Sequence, residues 1–100
     1  MQKRGFTYIM ANDRPTLYVG TTSNLVKRVW EHRSGKGSAF TSKYKLYKLV
    51  YYEVFDTMLQ AIIREKQIKD MNRNEKLEMI KSVNSSFEDL YATLTDLCEV

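Results

Sequence analysis

The sequence predicts an α+β fold, a small three-stranded antiparallel β-sheet flanked by α-helices, and three observations carry that expectation. Two short segments rich in aromatic and β-branched residues are joined by a turn containing Asn, Asp and Pro; a third β-rich run stands alone further along; and the remaining stretches show helical periodicity with recognisable caps. A chain of 100 residues with 43% hydrophobic content has the size of one modest domain, so a single core is expected. Residues 1–83 should form the body of that domain, and residues 84–100 an acidic C-terminal helix or tail belonging to it.

The first two strands are residues 5–10 and 16–20, with Ala11-Asn12-Asp13-Arg14-Pro15 as turn chemistry between them. Alternation along a strand puts Phe6, Tyr8 and Met10 on one face, and hairpin register can bring Tyr18 and Gly20 to the same side. Thr22-Ser23-Asn24 offers N-caps for a helix over residues 25–33, with Leu25, Val29 and His32 on one stripe and Val26 and Trp30 on the adjoining one. Arg28 stands four residues before His32, so guanidinium and imidazole share a side of that helix. Ser34-Gly35-Lys36-Gly37-Ser38 ends it as a basic loop.

Residues 47–55, Tyr-Lys-Leu-Val-Tyr-Tyr-Glu-Val-Phe, predict a strand through the core. Thr57 followed by Gln60 has the spacing of a capping box and opens a helix whose inward face is Met58, Ala61, Ile62 and Ile68. Glu65 falls on that same face, where a carboxylate is costly unless paired or bound to a metal. A further helix is expected over residues 74–83, with Leu77 and Ile80 inward. Ser85 or Ser86 is positioned to cap a last one running to Leu97.

All 16 Lys and Arg lie at or before Lys81, whereas four of the 12 acids lie after it, so residues 1–81 carry +8 and the tail −4. A basic body favours a polyanionic partner such as nucleic acid, because Lys and Arg displace condensed counterions from phosphates. Lys36, Lys43, Lys45 and Lys48 interleave with Phe40, Tyr44 and Tyr47, a composition suited to gripping phosphates and stacking on bases, or equally to a solvated loop over core aromatics. The lone cysteine, Cys98, excludes an internal disulfide and any zinc site built on paired thiolates, and fits a reducing compartment; the cytoplasm is the expected location. Behind Lys3 and Arg4 the apolar stretch is too short for a signal peptide or a membrane span.

Taken in order, several segments resemble the GIY-YIG endonuclease superfamily, in particular its small stand-alone bacterial members. They are Phe6-Thr7-Tyr8 and Tyr18-Val19-Gly20 in place of the two signature triplets, Leu25 to His32, Phe40-Thr41-Ser42-Lys43-Tyr44, Leu49 to Glu53, and Arg64 to Lys69. The resemblance covers roughly residues 6–80. It implies a metal-dependent endonuclease or DNA-processing hydrolase that cleaves DNA phosphodiester bonds, with a place in DNA repair or recombination. On that analogy Glu65 would ligate Mg²⁺ or another divalent cation such as Mn²⁺. Tyr8 would orient or deprotonate the attacking water with Tyr18 beside it, Arg28 would contact the scissile phosphate, and His32 would support a tyrosine or the phosphate. Lys27, Arg28, Lys36, Lys43 and Lys45 are the expected DNA contacts. The family's downstream asparagine has three candidates here, Asn72, Asn74 and Asn84, and Met71 stands where small members usually carry tryptophan. Two other readings compete: a nucleic-acid-binding module of the same fold with little turnover, and a protein-interaction domain with a basic face.

Overall fold

The structure, a computed structural model, describes residues 4–98; Lys3 and Glu99 lie outside the described residues. The chain runs β1 (Gly5–Ala11), β2 (Leu17–Thr22), α1 (Leu25–Arg33), α2 (Ala39–Lys43), β3 (Lys48–Phe55), α3 (Met58–Asp70), α4 (Arg73–Val83) and α5 (Tyr91–Cys98). The sheet is antiparallel throughout in the order β2-β1-β3, so β1 is central and β2 is an edge. No helix among the described residues is long and apolar enough to cross a membrane.

Alternation along β1 divides the interior into two cores, one on each face of the sheet. Tyr8 and Met10 pack with Leu25, Val29, Leu46, Leu49 and Leu94, while Ile9 and Ala11 pack with Val19, Val50, Ile68 and Ile80. A register shift between Ile9 and Met10 lets neighbouring β3 residues serve both: Val50 and Tyr51 join the second core and Leu49 the first. Helices α1 and α5 thus cover one face and α3 and α4 the other.

The helix starts follow the sequence closely. Asn24 caps α1 by accepting from the Lys27 N–H, and Thr57 with Gln60 forms the expected capping box on α3. The α4 helix starts slightly earlier than expected because Asn72 and Glu75 make a further capping box. Four expectations need correction. Ile62 is 36% exposed rather than inward, since only Ala61 and Ile68 of α3 reach full burial against the sheet. Leu77 is half-buried, leaving Ile80 as the buried anchor of α4. A short helix, α2, forms where only a connecting segment was expected, nucleated by a capping box between Ser38 and Thr41. The last helix begins at Tyr91 rather than after Ser85 or Ser86. There the buried Asn84 side chain holds a turn, donating to the Val50 and Glu88 carbonyls and accepting from the Glu88 N–H, and Asp89 accepts from the Tyr91 N–H at the helix start. The acidic segment is joined to α1 by an Arg33–Asp89 ion pair, and Arg33 also lies 4.6 Å over the Tyr91 ring.

Candidate active site

The hairpin register places Tyr8 opposite Gly20 and Met10 opposite Tyr18, so both phenols stand on the α1 face of the sheet. Gly20 is required there: a Cβ at that position would lie 2.6 Å from the Tyr8 hydroxyl and 3.0 Å from the Tyr18 ring. With only hydrogen in the way, the Tyr8 ring lies across the edge strand. From α1, His32 closes the group, its ring centroid 5.7 Å from Tyr8 and 5.4 Å from Tyr18.

Tyr8 and His32 are fully buried and hydrogen-bonded, Oη to Nε2 at 2.8 Å. The other imidazole nitrogen, Nδ1, is 2.9 Å from Thr41 Oγ1, itself buried at the start of α2. That hydroxyl also meets the Ser38 carbonyl and N–H at 3.2 Å each and the Ser38 hydroxyl at 3.0 Å, so it can either donate to Nδ1 or accept from it. When Thr41 accepts from Nδ1–H, Nε2 accepts the Tyr8 hydroxyl proton; when Thr41 donates to Nδ1, Nε2–H donates to Tyr8 Oη. Gly37 closes the pocket over the imidazole, because a Cβ there would fall 2.2 Å from Nδ1.

Burial sets the resting protonation of the pair. Desolvation pushes the Tyr8 phenol up to about 12, with Arg28 pulling the other way and the Tyr18 phenol and the Glu65 carboxylate adding to the rise. Desolvation, followed by the neighbouring Arg28 cation, lowers His32 to about 4. Both groups are therefore neutral near pH 7. Desolvation also works against the Arg28 cation, but Tyr8 and Glu31 outweigh it and hold the guanidinium more firmly protonated. Arg28 is partly exposed and pairs with Glu31 at 3.1 Å, so its charge faces the phenols from the rim of the site.

Glu65 arrives from the opposite layer. On α3 it accepts from Thr21 Oγ1 at 3.3 Å and pairs through its other oxygen with Lys69 at 3.0 Å. Thr21 follows Gly20 on β2, so the carboxylate and the Tyr8 ring approach the same edge of the sheet from its two faces. Tyr8, Tyr18, His32 and Arg28 are thus gathered directly, whereas Glu65 reaches them only through its charge on Tyr8. As for a metal, Glu65 is a hard oxygen donor whose competing partner Lys69 is 55% exposed and free to swing away. Among the described residues no group of three or more His, Cys, Asp or Glu could hold an ion. The donor set fits a cation bound by one carboxylate together with water and substrate oxygens, the habit of Mg²⁺.

The asparagine candidates separate by environment. Asn72 caps α4, Asn84 is buried with its amide fully used, and Asn74 is exposed. Lys27, Lys36, Lys43 and Lys45 are all exposed. Sequence reasoning left out Thr41, Thr21, Gly37 and Glu31, which orient or enclose the groups it did choose. Thr41 was within reach, since it lies in a segment that carried the resemblance.

Comparison with other proteins gives consistent findings. A family model described as the GIY-YIG catalytic domain matches residues 4–78. A UPF0213 protein of Syntrophus aciditrophicus is 43% identical over 79 residues, 78% of this chain and 91% of that one. A UPF0213 protein of Clostridium perfringens is 40% identical over 77 residues, 77% of this chain and 83% of that one. The solution NMR structure of a UPF0213 protein from Bacillus halodurans superimposes with a TM-score of 0.56 at 24% identity, covering 86% of this chain and 92% of that one, and shares the α+β fold.

Proposed function

This chain belongs to the GIY-YIG catalytic domain family, and from that premise we propose that it is a metal-dependent endonuclease that hydrolyses DNA phosphodiester bonds. The observation that carries the reading is the buried Tyr8–His32 hydrogen bond of 2.8 Å, with Tyr18 against it and Arg28 at its rim. Burial has pushed the phenol to about 12 and lowered the imidazole to about 4, so the pair rests neutral, and titrating groups perturbed together in this way often mark sites of proton transfer.

In this reading Tyr8 Oη takes a proton from the attacking water as the new P–O bond forms, and passes its own proton to His32 Nε2. The step uses the tautomer with its proton on Nδ1 toward Thr41, which leaves Nε2 free to accept. Transferring the proton from Tyr8 to His32 in the free protein is uphill, because burial disfavours both of the charges it creates. The resting pair therefore stays neutral, and the transfer waits for bound substrate. Arg28 neutralises charge developing on the phosphate, and Tyr18 holds the Tyr8 ring in place. Mg²⁺ or Mn²⁺, held by Glu65, would supply further neutralisation of the phosphate and leaving oxygen. Lys27, Arg28, Lys36, Lys43 and Lys45 are the proposed backbone contacts. The chain is taken to act as one domain in the cytoplasm, with a role in DNA repair or recombination.

A second reading, a nucleic-acid-binding module with little turnover, draws on the Glu65–Lys69 ion pair, which must open before a cation can bind. Cleavage of branched, flapped, single-stranded and duplex DNA with and without Mg²⁺ separates the two. The enzyme reading expects Glu65→Ala and Arg28→Ala to lower the rate at least about 100-fold while DNA binding survives Glu65→Ala. Unchanged cleavage by both variants, rigorously purified, would refute it; binding without cleavage in the unsubstituted protein would select the second reading.

A further inference from the structure

A line of aromatic rings leads away from the Tyr8–His32 pair toward the surface. Tyr18 packs on Tyr8 with centroids 6.4 Å apart, Phe40 lies 6.2 Å from Tyr18, and Tyr44 lies 4.8 Å from Phe40. Tyr8 is buried, but Phe40 is 42% and Tyr44 38% exposed. Beyond Tyr44 the line opens into a cavity of about 610 Å³ between the β1–β2 turn and the segment joining α2 to β3, rimmed by Arg14, Lys43, Lys45 and Lys48. Lys48 is paired with Asp13, and Lys43 lies 5.4 Å over the face of Tyr44.

Lys45 gives an independent indication. It follows Tyr44, the C-cap of α2, with φ of 54°, its N–H bonding to Ser42 O at 3.3 Å and the next N–H, of Leu46, to Thr41 O at 2.9 Å. That is the left-handed turn in which glycine is easiest, because a side chain there crowds the backbone. A lysine held in this position places a cation on the cavity rim at the expense of the turn, the pattern expected where function opposes stability.

We infer that the Phe40–Tyr44 track and the adjoining basic cavity bind an unpaired nucleic-acid strand leading away from the site, its bases stacked on the two rings and its phosphates on Arg14, Lys43 and Lys45. The substrate is then single-stranded or flapped DNA. This rests on the reading of the chain as a DNA phosphodiesterase. A continuous duplex keeps its base faces stacked on one another and offers a protein only edges and backbone, so the solvent-exposed parts of Phe40 and Tyr44 find stacking partners only on unstacked bases. An acidic peptide would satisfy the cations but leave the exposed parts of both rings in water.

The test is fluorescence anisotropy of the whole protein in EDTA, where turnover is silent, with labelled oligothymidylate of about 12 nucleotides, a duplex of the same length, and polyglutamate as competitor. Oligothymidylate should bind at least about tenfold tighter than the duplex and resist polyglutamate. Phe40→Ala and Tyr44→Ala should each weaken it roughly 5- to 150-fold without changing duplex affinity, the range set by base–aromatic stacking. Both side chains are partly exposed, and melting curves will show whether the variants fold. Lys45→Gly adds a readout a structural role would not give: it should raise the melting temperature while weakening oligothymidylate binding and lowering its salt dependence. Equal affinity for duplex and single strand, unaltered binding in folded Phe40→Ala and Tyr44→Ala, or full displacement by polyglutamate would overturn the inference. Selective binding without cleavage would sink the nuclease reading alone, and cleavage of duplex indifferent to the aromatic variants would sink this one alone.

Discussion

His32 offers the sharpest quantitative test, because it is the chain's one histidine and is fully buried. Desolvation, then the Arg28 cation, lowers its pKa from 6.5 to about 4. In the unfolded chain the imidazole regains its ordinary pKa, so between these two values the unfolded state binds more protons than the folded state. Stability then rises with pH across this window and is lost as pH falls through it. The contribution lost is about 2 kcal/mol at pH 5 and about 3 kcal/mol at pH 4, relative to pH 7.5. Urea unfolding of the unsubstituted protein and of His32→Gln at several pH values isolates this component, since the carboxylates titrate in both. The difference in stability between the two should shrink by about 3 kcal/mol from pH 7.5 to pH 4, with m values unchanged. Nitrogen-detected NMR of the single imidazole should show a neutral ring protonated on Nδ1 down to about pH 5. A stability difference that does not vary with pH, or a histidine titrating near 6.5, would refute the buried, neutral acceptor and with it the proposed proton path.

Other outcomes follow from contacts already described. Gly37→Ala puts a Cβ 2.2 Å from His32 Nδ1, in a pocket where the imidazole is pinned on both sides; cleavage should fall at least about 100-fold, and the variant should melt lower by the equivalent of about 1–3 kcal/mol as buried hydrogen bonds break. Unchanged NMR shifts for His32 in that variant would count against the packing. Asn84→Ala removes the donation to Val50 that ties the turn to β3 and the two bonds with Glu88 that shape the turn, and should cost about 2–3 kcal/mol in urea unfolding with the per-molecule cleavage rate of folded protein retained. Removing divalent cations with EDTA should abolish cleavage yet leave the melting temperature within about 2 °C, because Glu65 is already satisfied by Thr21 and Lys69; a large drop in melting temperature would mean the ion is structural.

Much of the fold was legible because its signals are local. The caps at Asn24 and Thr57 are short-range hydrogen bonds written in adjacent residues, and the apolar run of β3 needs no partner to identify it. The elements that escaped depend on distant contacts. The turn after α4 is decided by Asn84 reaching the Val50 carbonyl across 34 positions, which overrides the capping potential of Ser85 and Ser86. Ile62 points outward because α3 packs on the sheet through a stripe only wide enough for Ala61 and Ile68. At the site, Tyr8, Tyr18, Arg28 and His32 could be chosen from spacing, since strand alternation and a helical turn bring them to one side.

By itself the sequence determined the order of the three strands and of the longer helices between and after them, and the basic body, because alternation, periodicity and charge are properties of neighbouring residues. Only the tertiary structure decided that Thr41 meets His32 Nδ1, that Gly37 and Gly20 leave room for the imidazole and the phenol, and that Glu65 approaches from the far side of the sheet through Thr21. Those relations join residues 5 to 44 positions apart, and no local pattern encodes them: they arise when two helical layers close on a three-stranded sheet and bury its polar groups against whichever partners the packing supplies.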